Sequence, residues 1–338
     1  MSGADSFPRV TITQVASAAG VSLGTVSNVF NGKGNVHPAL RERVLAVAAD
    51  LGYHPDALAQ AFRKGRTRTI GFCVTYISNP TITAVLQSAG RSTHAMGYTL
   101  AICATEYDPA LERAHLEALV DQRVAAIIVY PANADPTPFL EAQRAGVPLI
   151  FADHLPPGVV ADAALLDHEG GMTAALRHLF ERGRRRVALL TTSPIGANAG
   201  RITGYRAAHA EAGLPVDERL LASGLRSEEE AYKATEALLR LDQPPDAVIA
   251  GNGMLVQGSL GCLRDRGVGI PGDIAFVGTG DVRWSRLAQP PLTMIEVDGD
   301  ALGRQLVQMA VERLDGDPEP PPGRRICLPV NLVKRGSS

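Results

Sequence analysis

The sequence predicts an N-terminal all-α helix-turn-helix headpiece followed by an α/β core of two doubly wound parallel-sheet lobes. Three observations predict it. The first sixty-odd residues carry short helical patterns joined by tight turns. From residue 69 onward, apolar strand segments alternate with longer amphipathic ones, the order that builds parallel sheets wrapped by helices. These strands fall into two series of about four, and two such lobes facing each other close a cleft. A chain of 338 residues has room for two or three domains.

In the head, Thr11 is placed to cap a helix that ends at Gly20. Ser22 is a second N-cap, opening a helix from Leu23 to Phe30. Ile12, Val15, Ala16, Val21, Val26 and Val29 fall where two crossed helices share a core, and the short interval around a glycine is the spacing of a helix-turn-helix. A third helix starts with Pro38 at its first position and carries Leu40, Val44, Val47 and Leu51 on one stripe before Gly52 stops it. A short helical stretch over 53–62 and a basic linker over 63–68 follow. The pattern predicts strands over 70–74, 99–103, 126–129 and 149–151, then over 163–166, 187–190, 247–250 and 274–277. Amphipathic helices are expected over 110–122 and 227–241. The predicted boundaries are a headpiece over 9–54, a hinge helix and linker over 55–68, and a core over 69–335. Within the core, one lobe takes 69–162 plus 295–325 and the other 163–292 plus 326–335. The proline-rich stretch 317–323 reads as a loop.

Net charge is −2, yet residues 1–68 hold eight Lys/Arg against four acids, which is +4 there and −6 for the rest. A basic head on an acidic body points to a polyanion as partner of the head alone. No apolar run approaches a membrane span and the N-terminus lacks the layout of a secretory signal, so a cytoplasmic address is expected, with no membrane partner. Cys73, Cys103, Cys262 and Cys327 are scattered, without the spacing of a metal knuckle or redox motif, and no disulfide is expected.

At Thr11 to Arg68 the chain resembles the lactose/galactose-repressor (LacI/GalR) family of bacterial transcription regulators. The carrying residues are Val10-Thr-Ile-Thr-Gln-Val-Ala, Ala19-Gly-Val-Ser22, Thr25-Val-Ser27, Phe30-Asn-Gly32, Arg41-Glu-Arg-Val44, Leu51-Gly-Tyr53 and Arg66-Thr-Arg-Thr-Ile-Gly71. The likeness continues through Ser78-Asn-Pro80, Arg201-x-x-Gly-Tyr205, Val268-x-Ile-Pro-x-Asp-Ile274 and Pro290-Pro-Leu-Thr293, over nearly the whole chain. It implies a headpiece, a hinge helix and a core like the periplasmic sugar-binding proteins. It also implies a homodimer on a pseudo-palindromic operator of double-stranded DNA. A small-molecule effector in the inter-lobe cleft would change DNA affinity, most commonly as control of a repressor.

The second helix of such a motif presents its N-terminal residues to base edges. Leu23 suits a thymine methyl, Gly24 reads nothing itself, and Asn28 either pairs with an adenine edge or serves structure. Ser22 and Thr25, with Thr11 at the preceding helix start, either donate to phosphates or are spent as caps. Phe62 stands where the family carries a leucine wedge for the minor groove, or else packs as core, and Ala59 would let two hinge helices approach closely.

For the cleft, the resemblance carries over Arg201, Asn252 and Asp153, the last with His154 at a strand end. The family's aspartate after Val-Gly is absent: the chain reads Val277-Gly-Thr-Gly280-Asp281, so the carboxylate is lost or moved to Asp281. Arg226 falls near a position often aromatic in the family. An acid lost and a base gained favour an anionic effector. Trp284 is either a stacking wall or a packed surface aromatic. Dinucleotide, Walker, metalloprotease and nucleophile-elbow signatures are missing, so neither catalysis nor a cofactor is expected. The run 182–186 is either a phosphate patch or a solvated helix end. A secreted solute-binding protein is the alternative for 69–338.

Overall fold

A computed structural model describes residues 10–31, 36–53, 66–192, 196–280, 283–315 and 323–338. It divides into two compact units, Met1–Thr67 and Arg68–Ser338.

The first unit is three helices, α1 (Ile12–Ala19), α2 (Leu23–Asn31) and α3 (Pro38–Asp50). Thr11 Oγ1 accepts the Gln14 N–H while the Gln14 side chain accepts the Thr11 N–H, a reciprocal box that satisfies two orphan donors of α1. Gly20, at φ 61°, turns the chain out of α1 in the left-handed region where glycine is unstrained. Val15, Ala16, Ala19, Val26, Val29, Val44 and Ala48 form its core, with Phe30 edge-to-face on Tyr53 at 5.5 Å. The expected stripe on α3 is corrected at its end. Leu51 is exposed, and the buried place goes to Ala48, four residues after Val44 and so on the same helix face. The expected hinge stretch, with Ala59 and Phe62, lies outside the described residues.

The second unit contains two six-stranded sheets. The first has the order β2-β1-β3-β4-β5-β11: β1 (Thr69–Val74), β2 (Thr99–Ala104), β3 (Ala126–Val129), β4 (Leu149–Asp153), β5 (Asp162–Leu166) and β11 (Arg325–Leu328). All its pairings are parallel. Helices α4 (Pro80–Ala95) and α11 (Gly299–Asp315) pack on one face, α5 (Pro109–Asp121) and α6 (Thr137–Arg144) on the other. The second sheet runs β7-β6-β8-β9-β10-β12: β6 (Val187–Leu190), β7 (Leu221–Ala222), β8 (Ala247–Ala250), β9 (Ala275–Thr279), β10 (Thr293–Val297) and β12 (Val330–Val333). Here only β12 is antiparallel, against β10. Helices α7 (His168–Glu181) and α8 (Ala197–Glu211) cover one face, α9 (Glu228–Leu239) and α10 (Gly253–Asp265) the other. Strands buried on both faces explain why they read as continuous apolar runs.

The expected division of strands is corrected. The segment expected to open the second series, β5, pairs with β4 and belongs to the first sheet. The β4–β5 connection contains no helix, so the change of lobe comes after β5 rather than before it. Strand β10, which straddles the expected boundary at 295, lies wholly in the second sheet. β11, expected in the second lobe from 326, pairs with β5. The chain therefore crosses between lobes three times, at Leu166–His168, Val297–Gly299 and Leu328–Val330. The Asp167 N–H donates to Leu328 O at 3.0 Å, tying two of the crossings together.

Two polar clusters hold the lobe bases. Asp162 at the start of β5 has a fully buried carboxylate gripped by Arg313 (Nε 2.8 Å, Nη2 2.7 Å), by the Arg324 guanidinium at 3.2 Å and by the Arg324 N–H at 2.7 Å. In the second lobe, buried Ser337 bridges β9 and β10: its carbonyl accepts from Phe276 N–H and its Oγ from Thr293 N–H, at 2.7 and 2.8 Å. The basic run 182–186 is used structurally. Arg184 donates to the carbonyls of Pro271, Gly272 and Asp273, and Arg186 to Asp217, Gln243 and Pro244. Among the described residues no helix is long and apolar enough to cross a membrane, and no three His, Cys, Asp or Glu side chains are grouped to hold a metal.

Candidate functional site

An open parallel sheet has its crevice beyond the carboxyl ends of its strands, where the strand order reverses. In the first sheet that point lies between β1 and β3, and in the second between β6 and β8. Both points open onto one cavity of about 390 Å³ between the lobes. Thr75 follows β1, Tyr130 follows β3, Thr192 follows β6, and Gly251 and Asn252 follow β8. Leu166, His168 and Val297, from two of the crossings, also line it.

At its centre Asp153, the last residue of β4, sits at φ 74°. This region is uncommon for a residue with a side chain, and such strain persists where surrounding contacts enforce it. Its Oδ1 lies 2.5 Å from His168 Nε2. Burial pushes the Asp153 carboxyl up, but the charge and hydrogen bond of His168, with His154 and Arg201, overcome this and hold it at about 2. Burial lowers His154, with the Asp153 carboxylate opposing it. Arg201 donates through Nη1 to Asn198 Oδ1 at 2.6 Å, and Asn198 donates in turn to Thr192 Oγ1 at 2.9 Å. Among the described residues, four buried polar atoms here lack a hydrogen-bond partner: Arg201 Nε, Tyr130 OH, Thr279 Oγ1 and His154 Nδ1. Burying such groups unpaired is costly, so they mark where a polar ligand belongs.

Charge follows the same direction. Among the described lining residues there are two guanidiniums, Arg201 and Arg226, to one carboxylate, Asp153. A second cavity of about 490 Å³ adjoins the first, sharing Asn79, Tyr107, Arg226 and Asn252, and adds Tyr76, Met254 and Trp284. Of the expected cleft residues, Asp153, Arg201, Arg226 and Asn252 meet around the first cavity, while Asp281 lies outside the described residues. Asn252 is also an N-cap, accepting the Leu255 N–H at 2.9 Å. Gly280 lines the cavity at φ 105°, a backbone that an aspartate there would adopt only under strain. Tyr130, His168, Asn198 and Thr279 were not expected. Three of these four fall at or just beyond strand carboxyl ends, so extending the strand-end argument to every strand would have found them.

Glu112 on α5 props the cavity wall from behind. Its side chain is fully buried, accepting from Ala132 N–H at 2.6 Å and Asn133 Nδ2 at 3.0 Å. Burial pushes its carboxyl up to about 7. A raised acid pKa penalises the native state as the carboxylate ionises, so this cost grows from the unfolded pKa near 4.5 to about pH 7 and then levels off. The full swing is about 3 kcal/mol. Glu112→Gln should therefore be increasingly more stable than the parent as pH rises from 5 to 8, with the two converging near pH 4.5. Denaturation midpoints of both across this range check it, and a constant difference would refute it. Burial-lowered His178 and His209 titrate with the opposite sign but cancel in the difference.

The first unit presents a separate face. Along α2, Leu23 is 49% exposed, and Gly24 and Asn28 are exposed beside it, while Val26 and Val29 point into the core. Ser22 Oγ accepts the Thr25 N–H at 3.1 Å and lies 2.9 Å from Thr25 Oγ1, so both are at least partly used as caps. Thr11 is likewise engaged in its capping box.

Residues 11–56 match the family model described as bacterial regulatory proteins, lacI family, and residues 176–338 that of a periplasmic binding protein-like domain. The regulator PtxS of Pseudomonas aeruginosa is 32% identical, covering 98% of this chain and 96% of its own. The regulator GalR of Escherichia coli K12 is 31% identical over 92% of this chain and 91% of its own. The Lac repressor dimer bound to operator and the anti-inducer ONPF superposes with a TM-score of 0.84 at 25% identity, covering 98% of this chain and 99% of that one. A complex of the regulator CelR with cellobiose gives 0.72 at 29% identity, over 98% and 100%. These relatives are transcription regulators, not enzymes.

Proposed function

The chain belongs to the lacI family of bacterial regulatory proteins, and from that premise we propose a repressor that binds a two-half-site operator as a homodimer. A small hydroxylated anion in the inter-lobe cavity controls it. The observation that carries the DNA-binding part is the outer face of α2. An apolar side chain, Leu23, is left in water beside a bare backbone at Gly24 and an amide at Asn28, a surface suited to base edges and a thymine methyl. Phe62, if it wedges into the central base step, bends the operator, with Ala59 allowing two hinge segments to meet. For the effector, Arg201 Nε and the excess of guanidinium over carboxylate supply an anion site, and Tyr130 OH and Thr279 Oγ1 supply partners for hydroxyls. Effector and operator are coupled reciprocally, by about 1–3 kcal/mol.

Selection from random genomic fragments followed by gel shift tests the reading. A recurrent two-fold-symmetric sequence whose binding weakens steeply with salt is expected; unselective binding under every ligand condition would refute it. On the selected fragment, Asn28→Ala should lower affinity tenfold to about a hundredfold, the worth of a bidentate base contact of about 1–3 kcal/mol, and relax selectivity at one base pair per half-site. Uniform weakening across sequences would place Asn28 in structure rather than readout. Melting temperatures measured with polyols and with their carboxylates test the effector, and stabilisation by neutral polyols alone would rule out the anion.

A further inference from the structure

Cys73 and Cys103 stand thirty residues apart in sequence, yet the first sheet makes them neighbours. They are directly opposed in the parallel register of β1 and β2. Adjacent strands lie about 4.8 Å apart, within the Cα separation of about 4.4–6.8 Å that a disulfide spans. Both side chains lie on the face covered by α5 and α6. Their surroundings differ. Cys73 is fully buried among Leu116, Val129 and their neighbours, whereas Cys103 is half-buried on edge strand β2, beside exposed Ile102.

We propose that Cys73 and Cys103 form a reversible oxidation site, which a hydroperoxide converts to an intramolecular disulfide. Cys103 is the outer, attacking thiol and Cys73 the inner, resolving one. The interaction of the two thiols raises Cys73 and lowers Cys103. Burial and Glu112 raise Cys73 further, and His115 favours the Cys103 thiolate. The thiolate attacks the outer peroxide oxygen: an S–O bond forms, the O–O bond breaks, and hydroxide or alkoxide leaves and takes up a proton. The Cys73 sulfur then displaces the sulfenic oxygen, which departs as water with the Cys73 proton. Two thiols are oxidised by two electrons and one peroxide is reduced. The bond joins strands that lead into Thr75, directly after β1, and Tyr107, three residues after β2, both lining the cavity, so oxidation acts on the wall facing the effector. Cys262 and Cys327 have no such partner among the described residues: Cys262 is buried in the second lobe and Cys327 is exposed on β11.

The test is tryptic mapping of the full chain under non-reducing conditions after titration with hydrogen peroxide, with free thiols alkylated. Cleavage places the two cysteines in separate peptides, 69–91 and 92–113. The expected product is these two peptides joined, two hydrogens lighter than their sum and separated again by dithiothreitol. Cys103→Ser should abolish the linked species and leave Cys73 reduced, and Cys73→Ser should leave a Cys103 sulfenic acid that dimedone traps. Both peptides staying unlinked at peroxide doses that oxidise Cys327 would overturn the proposal. So would Cys103 appearing only as sulfinic or sulfonic acid beside a free Cys73 thiol.

Discussion

Asp162→Ala should lower stability by about 3–5 kcal/mol, the cost of removing one partner from a buried charge cluster. The carboxylate is fully buried and takes three side-chain hydrogen bonds from two arginines and a fourth bond from a backbone N–H. Alanine leaves the largely buried Arg313 guanidinium without its anion and the Arg324 N–H without its acceptor. These groups join the start of β5, the end of α11 and the entry to β11, so three segments distant in sequence loosen together. Urea denaturation should show a lower midpoint with little change in slope. The pH dependence is specific to the mechanism. Burial raises the Asp162 carboxyl, but the two arginines more than compensate and hold it below its ordinary value. Its stabilisation is therefore complete above the unfolded pKa near 3.9 and is lost as pH falls through the lower folded value. The gap between parent and variant should narrow in acid, and a gap that stays constant there would mean the loss is one of packing.

Arg201→Met should weaken an anionic effector by about 2–4 kcal/mol, roughly thirtyfold to a thousandfold. Methionine keeps much of the apolar stem but removes the guanidinium, whose Nε lacks a partner among the described residues and whose Nη1 is braced by Asn198. Asp153 also loses one of the charges that hold its carboxyl down. Calorimetric titration of a stabilising carboxylate into both proteins gives the ratio. A neutral polyol should change little, and equal losses for both ligand types would show that Arg201 shapes the pocket rather than pairing with charge. Operator affinity without ligand should stay near the parent value.

Much of this architecture was legible because local rules and tertiary structure agree. Thr11, Ser22 and Pro38 mark helix starts that the head uses, and the doubly buried strands announce themselves as apolar runs. The lobe assignment of β5, β10 and β11 was not legible, since which strand a segment pairs with is decided by tertiary contacts, near in sequence for β5 with β4 and far for β11 with β5, and no local periodicity encodes the choice. The same limit hid the pairing of Cys73 with Cys103 and the gathering of Asp162, Arg313 and Arg324. In the cleft, Asp153, Arg201, Arg226 and Asn252 were reachable from strand ends and resemblance. Tyr130, Thr279 and His168 had only position to recommend them, and their significance comes from burial and missing or shared partners, which no sequence displays. Leu51 shows the reverse error, an apolar residue on the right stripe that the helix end leaves in water.

The interleaving of the two lobes also orders events during synthesis. The first sheet ends in β11, and α11, residues 299–315, covers the face it shares with α4. A ribosome that has made the first 166 residues has released five of the six strands, but neither the helix that shields them nor the strand that closes their edge. The nascent lobe must wait for the second lobe to be translated through β10, with its apolar face and an unpaired β5 edge open to other chains. Contacts of such long sequence separation fold slowly. The yield of folded protein should then fall when translation is slowed within the second lobe or chaperones are scarce, even though the finished fold is unchanged.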